Sequence, residues 1–300
     1  MRKPRTRLLR LKDGRRLEYL ECGDPRGDAL MYFHGCLGSA FQAMLLHERA
    51  LQEGMRVIAA NRPGIGRSSP KGFESMSAYA QSDVRALTDH LELTSFAALG
   101  ASGGTGFALA TAHAMPDRVR MVGIAGGLGP LASARNFGEL HWWRRAAIST
   151  CRDWPRVASM MLKALFMACW FSPITLKWYL QWATDANAAT PALRRLLKRV
   201  LWWDFQNVFL QPNGIPGLVD EMSLYFRWGF HPRHFPESVP VIAWHGRNDL
   251  VVPWSVARRT LRSMRQKRRF LLPGGHLAFL PHQESVFAAV KRELQPLIPV

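Results

Sequence analysis

Three hundred residues fit one large domain or a core carrying an insertion, and a chain that is 48% hydrophobic with 24 Gly and 19 Pro is neither disordered nor fibrous. Four scattered cysteines (Cys22, Cys36, Cys151, Cys169) form no C-x-x-C pair and no cluster with histidine, so no metal site is expected and reduced thiols in a cytoplasmic protein are. The formal charge of +18 is concentrated in the first sixteen residues and between Arg258 and Arg269; it fits either a solvated basic surface or an anionic partner such as acidic lipid headgroups.

No RRM, KH or zinc-finger signature accompanies that charge, and no nucleic acid partner is expected. The N-terminus lacks the apolar h-region of a signal peptide, because charge interrupts LLRL at once. The longest apolar stretch, Val157 to Phe171, contains Lys163 and is shorter than the ~20 residues that span a bilayer. It reads as a buried or interfacial helix.

In chain order, RLEYLEC from Arg16 alternates like a half-exposed strand, while ALMYFHG from Ala29 and RVIAANR from Arg56 read as short buried strands. A helix is predicted between them, from Phe41 to Glu53, ending at Gly54. Another is predicted from Ser77 to Leu91 with Ser77 as its cap. SFAALGAS from Ser95 is a buried strand followed by a helix opening at Gly103, and VRMVGIAGG from Val119 is a further strand.

Between about Gly129 and Pro236 strand signals vanish. Nine of the eleven tryptophans lie there (Trp142, Trp143, Trp154, Trp170, Trp178, Trp182, Trp202, Trp203, Trp228), in helices separated by Pro155, Pro173, Pro191 and the loop around QPNGIPG. Alternation resumes with PVIAWHG from Pro240, a helix near Ser255 to Met264, the strand RRFLLPGG, and a last helix near Glu284 to Leu294. The pattern predicts an α/β fold with a mostly parallel, doubly wound sheet. Residues 1–128 and 237–300 form its core, and 129–236 a helical insertion.

Every chemical motif falls at the carboxyl end of a predicted strand, where such sheets place their ligands. GASGG, Gly100 to Gly104, fits G-x-S-x-G after a buried strand and before a small-residue helix. A tight strand-to-helix turn of this kind lifts Ser102 above the sheet, and glycines at Gly100 and Gly104 remove side chains that would collide. The plain alternative is a glycine-rich turn with an exposed serine.

Of ten histidines, His276 in PGGHLAF sits just past a strand, with two glycines that let the imidazole fold back over the sheet. His245 ends a strand and reads as structural; His90, His113 and His282 fall on or near helices. Asp249 in HGRNDLVVP can reach a histidine on the next loop and fix its tautomer. The alternative position, AGGLGPLASA after the Val119 strand, holds no carboxylate. In HGCLGS, after the strand ending at His34, the backbone N–H of Cys36 is the expected partner of the Gly103 N–H in an oxyanion hole. The Cys36 thiol has no histidine and acid left to activate it.

With these residues in place, the chain resembles the α/β-hydrolase superfamily, and in particular capped esterase-like members. The matching pieces are DGRRLEYLECGDPRG, YFHGCLGS, NRPGIGRSS, LGASGG, HGRNDLVVP and PGGHL, about two thirds of the chain. The resemblance implies a cap made by the insertion and a triad of Ser102, Asp249 and His276. Asn61 departs from the pattern, which usually has Asp before Arg-Pro-Gly.

Three functional expectations follow. The first is acyl transfer from a hydrophobic carboxylic ester to water through an acyl-enzyme on Ser102, with no cofactor. The second keeps the triad for amide, peptide or C–C hydrolysis, or for lyase or perhydrolase chemistry, since fold does not choose among these. The third is a ligand-binding or membrane-associated protein on the same scaffold, with Arg144, Arg145, Arg194, Arg195, Lys198 and Arg199 of the insertion held near an anionic surface.

Overall fold

The structure, a computed structural model, describes residues 3–172, 190–264 and 266–295, with the backbone alone at Gln266 and Lys267. Trp178, Trp182 and Pro173 of the insertion and Arg265 of the basic stretch therefore lie outside the described residues.

Eight strands form one sheet: β1 (Arg7–Arg10), β2 (Arg16–Gly23), β3 (Asp28–Phe33), β4 (Met55–Ala60), β5 (Phe96–Ala101), β6 (Val119–Ala125), β7 (Val241–Gly246) and β8 (Gln266–Leu272). Their spatial order is β1-β2-β4-β3-β5-β6-β7-β8. β1 and β2 are antiparallel, as are β2 and β4; every pairing from β4 to β8 is parallel. The chain thus winds one way from β3 and the other way from β5. Loops after those two neighbouring strands flank the crevice where a doubly wound sheet binds its ligand.

Period-two alternation feeds both faces of the sheet. Met31 and Phe33 enter one apolar cluster with Val84, Leu87 and Phe107, while Leu30 and Tyr32 enter another with Phe41, Phe287 and Val290. The first face is covered by α2 (Met76–Tyr79), a π turn (Ala80–Val84), α3 (Arg85–His90) and α4 (Gly104–Ala114). The second is covered by α1 (His47–Gln52) and the last helix, which becomes α11 (Gln283–Leu294).

Three elements differ from the expectation. β1 was not anticipated: RLLR is short and carries charge at both ends, which is how an edge strand avoids further pairing. The helix expected from Phe41 to Glu53 is divided into a 3-10 turn (Ala40–Leu45) and α1. The tightening has a cause, because Ser39 and Gln42 are tied sideways to Asp204 and the Ala40 N–H to Asn61. The cap of α2 is Ser75, whose oxygen accepts from Ala78 N; the hydroxyl of Ser77 donates to the Trp228 carbonyl.

Between β6 and β7 the described residues hold α5 (Ala134–Gly138), α6 (Trp142–Asp153), α7 (Pro155–Phe171), α8 (Pro191–Phe209) and α9 (Gly214–Leu224). Proline opens α7 and α8, where a missing N–H costs nothing, and Thr190 caps α8. α8 drives Trp203 against Phe41 with ring centroids 5.6 Å apart, which seats the insertion on the 3-10 turn after β3. α10 (Trp254–Arg262) follows β7. Among the described residues no helix is long and apolar enough to cross a membrane, and all four cysteines are free.

Candidate active site

Ser102 occupies the turn between β5 and α4 with φ at +52°, a left-handed conformation that a non-glycine residue adopts only under constraint. Backbone bonds hold it there: its N–H donates to Ala125 O (2.8 Å), and its carbonyl accepts from Thr105 N and Leu128 N. The turn is tight enough to demand glycine at Gly100 and Gly104. A Cβ on Gly104 would lie 2.0 Å from the Phe33 carbonyl, and one on Gly100 2.6 Å from the Gly104 carbonyl. These are backbone collisions that no rotamer change relieves.

His276 and Asp249 meet. His276 Nδ1 is 2.8 Å from Asp249 Oδ2, with both side chains buried. The other carboxylate oxygen accepts from Val251 N (2.8 Å) and Val252 N (2.9 Å), so the loop after β7 fixes the carboxylate plane. Burial favours a neutral Asp249, but the adjacent imidazole of His276 and the N–H of Val252 outweigh it and hold the pKa below the usual carboxylate value. An ionised carboxylate at Nδ1 leaves Nε2 as the basic nitrogen of His276.

His245 is also close, with Nε2 2.8 Å from Val252 O and 3.3 Å from Asp249 Oδ2. Burial lowers its pKa, so it braces the loop as a neutral ring.

The His276 ring packs on Gly126, where a Cβ would lie 3.1 Å from Nδ1. Gly126 follows Ala125, the acceptor of the Ser102 N–H, so Ser102 and His276 flank one strand end. Among the described residues no hydrogen bond joins the Ser102 hydroxyl to His276; such bonds are often long until substrate is bound.

The loop after β3 lies over the serine: a Cβ on Gly35 would sit 3.5 Å from Ser102 Cβ. The Gly35 N–H is taken by Gln42 Oε1 (2.8 Å). Among the described residues, the N–H groups of Cys36 and Gly103 have no hydrogen-bond partner. Burial pushes the Cys36 thiol pKa far up, which leaves that side chain a neutral neighbour of Met222, 3.8 Å away.

Sequence reasoning missed the buried polar groups behind this loop. Arg62, 3% exposed, donates to the carbonyls of His34 (2.8 Å) and Gly35 (2.9 Å) and forms a two-bond pair with Glu221 of α9. Tyr225, just past α9, donates its hydroxyl to Glu221 Oε1 at 2.6 Å. Asp204 of α8 accepts from Ser39 N, Ser39 Oγ and Gln42 Nε2. Arg62 stood in the NRPGIGRSS motif, so half of the pair had a sequence signal. Glu221, 159 residues away, had none.

Arg144 also differs from its expected place at the surface. It is half-buried and donates to the carbonyls of Leu250 and Val251, beside Asp249. A cleft lined by Arg62, Phe73, Tyr79, Phe107, Glu221 and Leu224 opens onto the buried ion pair and does not include Ser102.

A mostly parallel eight-stranded sheet with a strained serine after its central strand defines the class of scaffold, and comparison gives the family. The sequence matches the alpha/beta hydrolase fold family over residues 28–283, and the chain belongs to it. It is 31% identical over 252 residues to the dihydrolipoyllysine-residue acetyltransferase component of an acetoin cleaving system from Pseudomonas putida. That match takes in 82% of this chain and 58% of the relative, so the chain spans little more than half the length of that protein.

Among solved structures it is similar to an esterase from Rhodococcus sp. (TM-score 0.66, 18% identity, 96% of this chain and 98% of that one). It is also similar to an enol-lactonase from Burkholderia xenovorans (TM-score 0.64, 15% identity, 96% and 99%). At such identities the likeness is one of fold.

Proposed function

We propose that the protein is a serine hydrolase acting on small to medium hydrophobic carboxylic esters. Ser102 attacks the ester carbonyl as His276 takes its proton, the alcohol leaves, and water then releases the acid from the acyl-enzyme with His276 again as base. The Cys36 and Gly103 N–H groups bind the oxyanion of each tetrahedral intermediate.

The observation that carries this reading is the 2.8 Å contact of Asp249 with His276, whose ring packs on Gly126 beside the strand end that holds Ser102 at positive φ. An apolar substrate is supported by the surroundings. Cys36, Leu37 and Val251 pack against a cluster that includes Cys151, Ala158 and Met222 of the insertion.

Intact-mass analysis after fluorophosphonate exposure should show one adduct, absent from Ser102→Ala, and that variant should lose ~10⁴-fold or more in turnover of aryl esters. Asp249→Asn should fall comparably. Full labelling of Ser102→Ala would remove the serine from the mechanism. A series of esters of rising acyl length then defines the pocket.

A second reading keeps the acyl-enzyme and changes the acceptor, because the Pseudomonas putida relative is named an acetyltransferase component. Added thiols would then divert acyl groups from water in a saturable way.

A further inference from the structure

We infer that one carboxylate of the insertion, Glu221, sets both halves of the oxyanion hole, acting through Arg62 on one side and Tyr225 on the other; this inference rests on the serine-hydrolase reading above. None of the three touches the reacting atoms, so they are positioning residues.

The first half follows from peptide geometry. The Arg62 guanidinium holds the carbonyls of His34 and Gly35 at 2.8 and 2.9 Å. A trans peptide is planar, with its C=O and N–H pointing in opposite directions, and there is no cis bond among the described residues. Anchoring the Gly35 carbonyl on Arg62 therefore turns the Cys36 N–H away from Arg62. The preceding peptide is held at both ends, its carbonyl by Arg62 and its Gly35 N–H by Gln42. The Gly35 carbonyl also lies 3.0 Å from His34 Nδ1, so the peptide that carries the Cys36 N–H is held by Arg62 and His34 together.

Arg62 in turn is aimed by Glu221. Nε and one terminal nitrogen each meet a carboxylate oxygen at 2.8 Å, which fixes the plane of the fork, and Phe107 lies under it at 4.7 Å.

The second half runs through Tyr225. Its hydroxyl donates to Glu221 Oε1 at 2.6 Å, and the ring edge covers Gly103 so closely that a Cβ there would lie 2.3 Å from the tyrosine oxygen. Gly103 is the residue whose N–H supplies the other donor. A single buried carboxylate, 4% exposed, thus lies one residue removed from each donor.

The test is steady-state kinetics on an aryl ester, with each variant's competent sites counted by end-point fluorophosphonate titration and an alkyl boronic acid used to mimic the tetrahedral anion. Per titrated site, Glu221→Gln and Arg62→Lys should lose about 10- to 100-fold in kcat, part of the loss seen when such a donor is removed outright. KM should stay within about twofold, and the boronic acid should weaken by a factor similar to the fall in kcat. Tyr225→Phe keeps the ring over Gly103 and should lose a few fold; it carries the test if the charge variants do not fold.

A merely structural role would lower the number of titrated sites without changing kcat per site, and that result would overturn the inference. So would a loss confined to KM with unchanged boronic acid affinity. Failure of fluorophosphonate to label Ser102 in the unaltered protein is a separate result, which would overturn the hydrolase reading and this inference with it.

Discussion

Asn61 shows how one atom can change a local network without touching the chemistry. Its Oδ1 accepts the Ala40 N–H at 2.7 Å and its Nδ2 donates to Glu18 Oε2 at 2.8 Å. Those two neighbours assign the amide unambiguously, since one needs an acceptor and the other a donor. Aspartate, usual at this position in the resembling family, would set a second carboxylate against Glu18 in a fully buried place. Asn61→Asp should therefore cost about 3 kcal/mol and lower the thermal midpoint by several degrees; an unchanged midpoint would mean that Glu18 turns elsewhere.

Asp204 is the complementary case. Burial pushes its pKa up to about 7, with Ser39, Gln42 and Arg62 drawing it down less strongly. An acid with a native pKa above its unfolded value of ~3.9 holds an extra proton in the folded state between those two values. The folded state therefore loses stability as pH rises from about 4 to about 7 and is level above that. Measured against Asp204→Asn, which has no such proton, the thermal midpoint should fall between pH 5 and pH 8. A constant difference would show that Asp204 titrates normally.

At the scale of elements, legibility followed the reach of the signal. Strands β2 to β8 and the helix after Gly103 were readable because burial on both faces or one imposes a local period. The places of Ser102, Asp249 and His276 just past strand ends were readable because turns at strand ends use few residue types. Helix boundaries near Phe41 and Ser77 were not, since they depend on where Asp204, Asn61 and Trp228 sit in space. The Arg62–Glu221 pair was invisible for the same reason: a contact across 159 residues leaves no period behind.

The β5–α4 turn makes a further prediction at this scale. Gly104→Ala must drive α4 away from the Phe33 carbonyl, so the variant should be strongly destabilised and lose fluorophosphonate labelling. Wild-type labelling kinetics would show that the turn has slack the backbone distances deny it.

For the whole molecule, arginine does more than supply surplus charge. Four of the buried or half-buried carboxylates are met by a guanidinium: Glu18 by Arg67, Glu21 by Arg56, Asp83 by Arg15 and Glu221 by Arg62. Raised salt should therefore weaken the exposed pairs far more than the enclosed Arg62–Glu221 pair. The +18 balance is what remains after every acid has been set against one basic residue.

The two carboxylates that α8 and α9 direct at Ser39 and Arg62 also limit which foreign segments this core can accept. A chimaera that receives a foreign segment between β6 and β7 inherits whatever side chain then faces Arg62 and Ser39. A graft that brings no acid to either place leaves the Arg62 guanidinium and the Ser39 hydroxyl without the carboxylates that hold them.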